Sequence, residues 1–311
     1  MKIVFMGTPE FAVPSLKAIV EAGVEVAAVV TNRDEPQGRG LKVLPPPVKV
    51  AAAELGLHII QTGTVKDAAF ADTVRNIAPD LIVVVAFRIL PKEIFTIPKL
   101  GTFNLHASLL PRYRGAAPIN WAIVNGEKET GVTTFFLDEK VDTGRIILRK
   151  KTGIGDDETA GELSGRLSIL GAEAVVETLN LIGNGKVVLA EQDASLATRA
   201  PKISKEDCLI DWSRPATHVH NFIRGFSPEP GAFGFLKGKT IKIFRSSPTD
   251  IRAVGQPGQV TVDGGKLYVS CADKLLEVVE LQLEGKKKLL SQDFVRGARI
   301  ESGAKLESRR S

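Results

Sequence analysis

The chain has 311 residues, 43% of them hydrophobic and 25% charged, with a net charge of +5, a composition that excludes a disordered, collagen-like or disulfide-scaffold protein. Its longest strand-like apolar run, 81–87, falls far short of the roughly 20 residues a membrane-spanning helix needs, and the opening MKIVFMGTPEFAVPSL lacks the apolar core of a secretory signal, so a cytoplasmic address with no membrane partner is expected. Cys208 and Cys271 make no disulfide framework, and with His58, His106, His218 and His220 they make no ligand cluster, so no metal is expected.

Residues 2–6 form an apolar strand that runs into Gly7-Thr8-Pro9, and 14–22 follow as a helix with a proline near its start and Gly23 at its end. The almost uniformly apolar, β-branched run over 24–31 reads as a strand covered on both faces. The stretch 31–47, TNRDEPQGRGLKVLPPP, is too long and irregular for a plain connector and reads as a mobile, functional loop. Helix 48–55, strand 58–60, helix 67–76, strand 80–87, a short helix near Glu93 and strand 102–106 continue the pattern. Helix 117–125, strand 131–137, a pairing stretch at 145–150 and a helix over 158–181 complete it. Alternating strands and helices predict an α/β fold, a Rossmann-like parallel-sheet domain over 1–189.

The apolar pattern then fades, and 190–206 reads as a linker. Over 207–311 one helix, 215–225, precedes five or so short strands divided by turn signals at 236–239 and 262–265, which suits a smaller C-terminal β-barrel of the OB-like type. The positive excess lies there: residues 1–206 hold 24 Lys and Arg against 24 Asp and Glu, whereas 207–311 hold 17 against 12. Such an excess fits either a nucleic-acid partner or plain solubility.

An open parallel sheet places its site at the carboxyl ends of its strands. Two segments qualify, NLHASLLPRYRG from Asn104 and LDEKVDTG from Leu137. Asn104 and His106, two apart on a strand, share a side. With Asp142 they would suit addition to a carbonyl: the amide donates to a developing oxyanion, the imidazole handles protons and the carboxylate orients it. A packed strand-end histidine and an ordinary Asp-Thr-Gly turn are the bland alternative. Gly7-Thr8-Pro9-Glu10 has one glycine where a dinucleotide fold needs several, which argues against pyrophosphate binding and a nicotinamide-dependent oxidoreductase.

The segments FMGTPEFAVPSL, NLHASLLPRYRGAAPINWAI, GVTTFFLDEKVDTGRII and IRGFSPEPGAF resemble the methionyl-tRNA formyltransferase family, within the 10-formyltetrahydrofolate-dependent formyltransferase superfamily, over nearly the whole chain. The resemblance implies transfer of a formyl group from 10-formyltetrahydrofolate to the α-amine of methionyl initiator tRNA by a monomer. A superfamily member acting on a small amine, such as a nucleotide-linked amino sugar, is the nearest alternative. Asn104, His106 and Asp142 match the family's catalytic trio. Folate contacts fall on Phe87, Arg88, Ile89 and Leu90, on Ser108, Leu109, Leu110 and Pro111, and on Asp138. Many members have an aromatic-Gly-x-Ile-Leu-Pro arrangement where this chain passes from Phe87 to Arg88 and Ile89 without the glycine and one residue shorter. The loop 32–47 matches the insertion that enters the acceptor stem, which makes Arg33, Arg39 and Lys42 expected tRNA contacts. Lys286, Lys287 and Lys288, with Arg296 and Arg299, are expected to meet phosphates.

Overall fold

Strands that are apolar on both faces are stable only between two helical layers. Leu81–Val85, LIVVV, is buried at every position and marks the centre of such a sheet. The computed structural model describes residues 1–37, 42–298 and 300–308. Its elements up to residue 183 are β1 (Lys2–Gly7), α1 (Val13–Glu21), β2 (Glu25–Asn32), β3 (Glu35–Gln37), β4 (Lys42–Leu44), α2 (Pro47–Glu54), β5 (Ile59–Thr62), α3 (Ala68–Ile77), β6 (Leu81–Val85), α4 (Lys92–Phe95), β7 (Thr102–His106), α5 (Pro118–Val124), β8 (Glu129–Phe136), β9 (Ile146–Gly153) and α6 (Ala160–Gly183).

Residues divide into two units, 1–115 with 130–152 and 164–199, and 116–129 with 153–163 and 200–311. In the first, the sheet order is β5-β2-β1-β6-β7-β8-β9. Five strands, β5 to β7 in that order, run parallel, and β8 joins antiparallel to β7 with His106 opposite Thr133. Phe70, Ala71 and Val74 of α3 pack with Val4, Met6, Val30, Ile82 and Val84 on one face. On the other, α6 comes so close that a Cβ on Gly171 would lie 2.6 Å from the Leu105 side chain. The stretch 31–47, expected to be an irregular loop, contains the hairpin of β3 and β4, with Glu35 opposite Leu44. Too few apolar residues alternate there for the strands to be read in advance. No helix among the described residues is long and apolar enough to cross a membrane.

The second unit continues with α7 (Ala216–Gly225), β10 (Ala232–Leu236), β11 (Lys239–Arg252), β12 (Val260–Asp263), β13 (Lys266–Ser270), β14 (Lys274–Leu283), β15 (Leu289–Leu290), α8 (Ser291–Ala298) and β16 (Leu306–Glu307). The sheet order is β12-β13-β14-β11-β10-β16, with β15 on β14. Bulges along β11, between Ile243 and Arg245 and again before Ser246, bend the sheet over its core, giving an antiparallel, OB-like half-barrel. Trp212, Val219, Ile223, Phe226, Ile241, Ile243 and Val278 fill it. Among its described residues the unit holds seven strands, β10 to β16, rather than five or so. It also holds α8, in which Phe294 and Val295 pack against the core, adjacent residues that show no helical period. Cys208 and Cys271 are buried free thiols, and burial pushes them up to about 11 and about 12.

Candidate active site

Alternation along β7 sorts its residues. Phe103 and Leu105 go into the core, at 0% and 3% exposure. Asn104 and His106 share the opposite side, their Cα atoms about 7 Å apart by strand rise. His106 is buried, and its Nε2 lies 2.8 Å from the Tyr113 carbonyl oxygen. A carbonyl only accepts, so Nε2 carries the hydrogen and Nδ1 is the nitrogen left to exchange a proton. That Nδ1 is 3.8 Å from Asp142 Oδ2, and the same oxygen accepts the Gly115 N–H at 2.9 Å. Asn104 is half-buried, and its carboxamide takes no hydrogen-bond partner among the described residues. One side of β7 therefore presents an amide without a partner among the described residues and an imidazole with one uncommitted nitrogen backed by a carboxylate.

Two turns hold this pair. After β7, the Ser108 hydroxyl donates to the Arg112 carbonyl at 2.6 Å. The Thr133 hydroxyl donates to the Ser108 carbonyl at 2.6 Å and accepts the Leu110 N–H at 3.1 Å. Leu110 packs with Phe135 and Ile146, and the turn ends on Tyr113 at φ 60°. After β8, Asp142 sits at φ 55°. Gly144 then returns so close to the strand that a Cβ there would be 1.7 Å from the Phe136 carbonyl oxygen, so only glycine fits. A bulky residue such as Tyr113 in the left-handed region is an outlier that surrounding contacts must hold.

The expected folate residues separate by what the fold leaves free. Phe87 packs against the α3 face and Leu90 is buried there, while Ile89 is 73% exposed. Arg88 donates to the Gly63 carbonyl. Ser108, Leu110 and Pro111 are buried and Leu109 is half-buried, so that segment offers a ligand chiefly its backbone. Asp138 is not brought to His106. The Leu137 N–H bonds the Thr102 carbonyl at 2.8 Å, which sets Asp138 beyond the start of β7, where its carboxylate accepts the Glu139 N–H.

Of the expected tRNA contacts, Arg33 is exposed, its guanidinium carbon 3.3 Å from where a Cβ on Gly63 would stand. Arg39 lies outside the described residues, as do Arg299 and the side chain of Lys42. Lys286 and Lys287 are exposed in the turn after β14. Lys288 is already engaged, with Glu280 at 2.9 Å and over the Phe244 ring at 5.1 Å, and Arg296 pairs with Asp293 at 2.5 Å. Groups missed in the sequence are the Tyr113 carbonyl, the Gly115 N–H and Gln192, which donates to the carbonyls of Asp142 and Gly144. The first two are backbone, common to every residue, and Gln192 lies in a stretch without periodicity.

The sequence pattern of the formyl transferase family matches residues 1–179, and that of the formyl transferase C-terminal domain matches 202–299. A methionyl-tRNA formyltransferase of Chlorobium phaeovibrioides is 52% identical over 309 residues, 97% of each chain. One of Geobacter sulfurreducens is 49% identical over 308 residues, 98% of this chain and 96% of that one. Among solved structures, the N-formyltransferase of Helicobacter canadensis in complex with folinic acid and dTDP-3-aminofucose has a TM-score of 0.68 at 22% identity, covering 93% of this chain and 100% of that one; at that identity the likeness concerns the fold. Near-complete alignment at about half identity is a closer bond than fold alone provides, and this chain belongs to the formyl transferase family, in its methionyl-tRNA formyltransferase branch.

Proposed function

We propose that the chain transfers the formyl group of 10-formyltetrahydrofolate to the α-amine of methionine esterified to initiator tRNA, with Asn104, His106 and Asp142 as its catalytic residues. The observation that carries the reading is the side of β7 on which the Asn104 amide, unpartnered among the described residues, stands beside a histidine whose Nδ1 faces Asp142, in a chain of this family.

The neutral amine attacks the formyl carbon and a C–N bond forms. Charge moves to the formyl oxygen, where the Asn104 N–H₂ donates, an interaction that strengthens as the oxyanion develops. His106 Nδ1 takes a proton from the attacking nitrogen, and Asp142 stabilises the imidazolium so formed. The same proton is returned to N10 of the folate as the C–N10 bond breaks, leaving tetrahydrofolate, formylmethionyl-tRNA and the enzyme unchanged. Backbone groups of 87–90 receive the folate, with Arg88 fixed on Gly63. Arg33, Lys286 and Lys287 meet tRNA phosphates, contacts that position the acceptor without reading its sequence.

The deciding assay is formyl transfer from 10-formyltetrahydrofolate to methionyl initiator tRNA, beside methionyl elongator tRNA and dTDP-3-aminofucose. Transfer to the initiator alone is expected; transfer to the sugar, or to none, overturns the acceptor. Replacing Lys286 and Lys287 by alanine should lower the salt dependence of tRNA affinity by about 2 in slope, about 1 per lost phosphate contact, and an unchanged slope removes them from the interface.

A further inference from the structure

Gln192 and Thr198 lie in a stretch that reads as linker, yet their hydrogen bonds fall on the two turns that carry the catalytic partners. Ala190 is tied to Ile146 by reciprocal backbone bonds of 2.8 and 2.9 Å, which starts the stretch beside the first residue of β9. Gln192 then uses its whole carboxamide. Its Nε2 donates to the Asp142 carbonyl at 3.0 Å and the Gly144 carbonyl at 2.8 Å. Its Oε1 accepts from Arg114 Nε at 3.1 Å and Nη2 at 2.6 Å. An amide has two donor hydrogens and two acceptor sites, so all four are spent. Thr198 completes the span: its hydroxyl oxygen accepts the Tyr113 N–H at 2.8 Å and its carbonyl accepts the Arg114 N–H at 2.9 Å.

These bonds land where the backbone is least able to hold itself. Asp142 and Tyr113 both have positive φ, 55° and 60°, and Tyr113 supplies the carbonyl that fixes His106 Nε2. Residues in such conformations persist when their surroundings over-determine them. The Gly115 N–H, one residue beyond Arg114, bonds the Asp142 carboxylate itself. Gln192 thus grips the turn that aims the carboxylate, Thr198 grips the turn that aims the imidazole, and Arg114 joins the two grips.

We infer that Gln192 and Thr198 are positioning residues for formyl transfer, setting the 3.8 Å approach of His106 Nδ1 and Asp142 without touching the reacting atoms. The inference rests on the catalytic reading of that pair. Its chemistry makes a sharp demand on the side chains. A glutamate at 192 keeps the size of glutamine and gains an ion pair with Arg114, but it has no hydrogens for the carbonyls of Asp142 and Gly144. A serine at 198 keeps the accepting hydroxyl; a valine keeps the shape and loses it.

The test compares Gln192→Ala, Gln192→Glu, Thr198→Val and Thr198→Ser by kcat, by KM for both substrates, and by ¹⁵N–¹H spectra of the histidine rings, with His106 assigned from its absence in a His106→Asn sample. Gln192→Ala, Gln192→Glu and Thr198→Val should each lose about 10- to 100-fold in kcat, the scale of a catalytic group displaced by about 1 Å, with KM within about twofold. Thr198→Ser should restore the rate. The His106 ring signals should move in the three impaired proteins while those of His58 stay. A folded Gln192→Glu with parental kcat, a loss confined to KM, or an unmoved His106 signal overturns the inference. If the parent fails to formylate methionyl-tRNA, the catalytic reading falls, and the ring spectra alone still decide whether these residues set His106.

Discussion

Two histidines in this chain have nearly the same surroundings on paper and opposite meanings in structure. His106 and His220 are 6% and 5% exposed. Each sets Nε2 against a backbone carbonyl, of Tyr113 at 2.8 Å and of Asp156 at 3.1 Å, and each has an aspartate nearby, Asp142 at 3.8 Å and Asp157 at 3.4 Å. The second nitrogen separates them. His220 Nδ1 is paired with the Ser246 hydroxyl at 3.1 Å, so neither ring nitrogen is spare, and the neighbouring Arg224 guanidinium is taken up by the carbonyls of Gly155 and Glu158 and by Asn221. His106 Nδ1 has only the approach of a carboxylate, with an unpartnered amide two residues back. Asp142 is 11% exposed at its side chain where Asp157 is 78% exposed. Burial and an adjacent acid do not separate the two histidines; a nitrogen with no fixed partner, facing a half-buried carboxylate, does, and the proposed role of His106 rests on that difference.

The comparison breaks most visibly in turnover. His106→Asn should lower kcat by about 10²- to 10⁴-fold, the usual contribution of a general acid–base group, while His220→Asn stays within about twofold in single-turnover formyl transfer. Loss of turnover in a folded His220→Asn protein would dissolve the distinction. Asn104→Ala comes next, with a loss on the order of 10²-fold in kcat, as for one oxyanion donor. An unchanged rate in a folded Asn104→Ala protein would leave the free amide without a role.

The difference between the histidines is one the sequence could not carry. Asn104 and His106 were legible as a pair because strand alternation puts i and i+2 on one side, and Asp142 because a turn after the next strand is a usual site position. What makes His106 available is the Tyr113 carbonyl and the φ of Tyr113 and Asp142, and backbone groups leave no signature in residue type. The position of Asp138 was not legible for a related reason: five parallel strands are readable from apolar runs, but the reversal of β8 against β7 carries no local signal, and it sets Asp138 at the far end of β7 from His106. Gln192 and Thr198 were passed over because a segment held by hydrogen bonds to turns needs no hydrophobic period. By contrast Thr159-Ala160-Gly161-Glu162, a reciprocal cap at the start of α6 with Thr159 N to Glu162 at 2.9 Å and Glu162 N to Thr159 at 3.3 Å, follows a spacing visible in one dimension.

A smaller effect at His220 depends on pH. Burial holds its pKa below the ordinary value of 6.5, the nearby Arg224 charge acts in the same direction, and the carbonyl of Asp156 and the charge of Asp157 oppose them in part. Between the folded value and 6.5 the unfolded chain binds the proton and the folded chain does not, so stability rises with pH through that window and falls as pH drops below 6.5. Urea midpoints at pH 7.5 and pH 5.5 should therefore fall further for the parent than for His220→Gln, which cannot titrate. Equal falls would show that His220 is free to charge in the folded state.

The smallest expected effect falls on the two aspartates. Asp157 stands 3.4 Å from His220 yet is 78% exposed at its side chain, and water screens a charge so placed. Asp157→Asn should therefore change stability at pH 7 by less than about 0.5 kcal/mol, the low end for exposed pairs, and leave formyl transfer unaltered. Asp142→Asn also replaces one carboxylate by its neutral isostere, but here the removed charge is only 11% exposed and faces the nitrogen that becomes an imidazolium in the proposed mechanism. The urea midpoint of Asp157→Asn, read beside the single-turnover rate of Asp142→Asn, measures how much of an aspartate–histidine contact is geometry and how much is exclusion of water. If Asp157→Asn costs as much stability as a buried pair broken on one side, about 3 kcal/mol, then exposure is the wrong criterion and the two sites are more alike than their surroundings suggest.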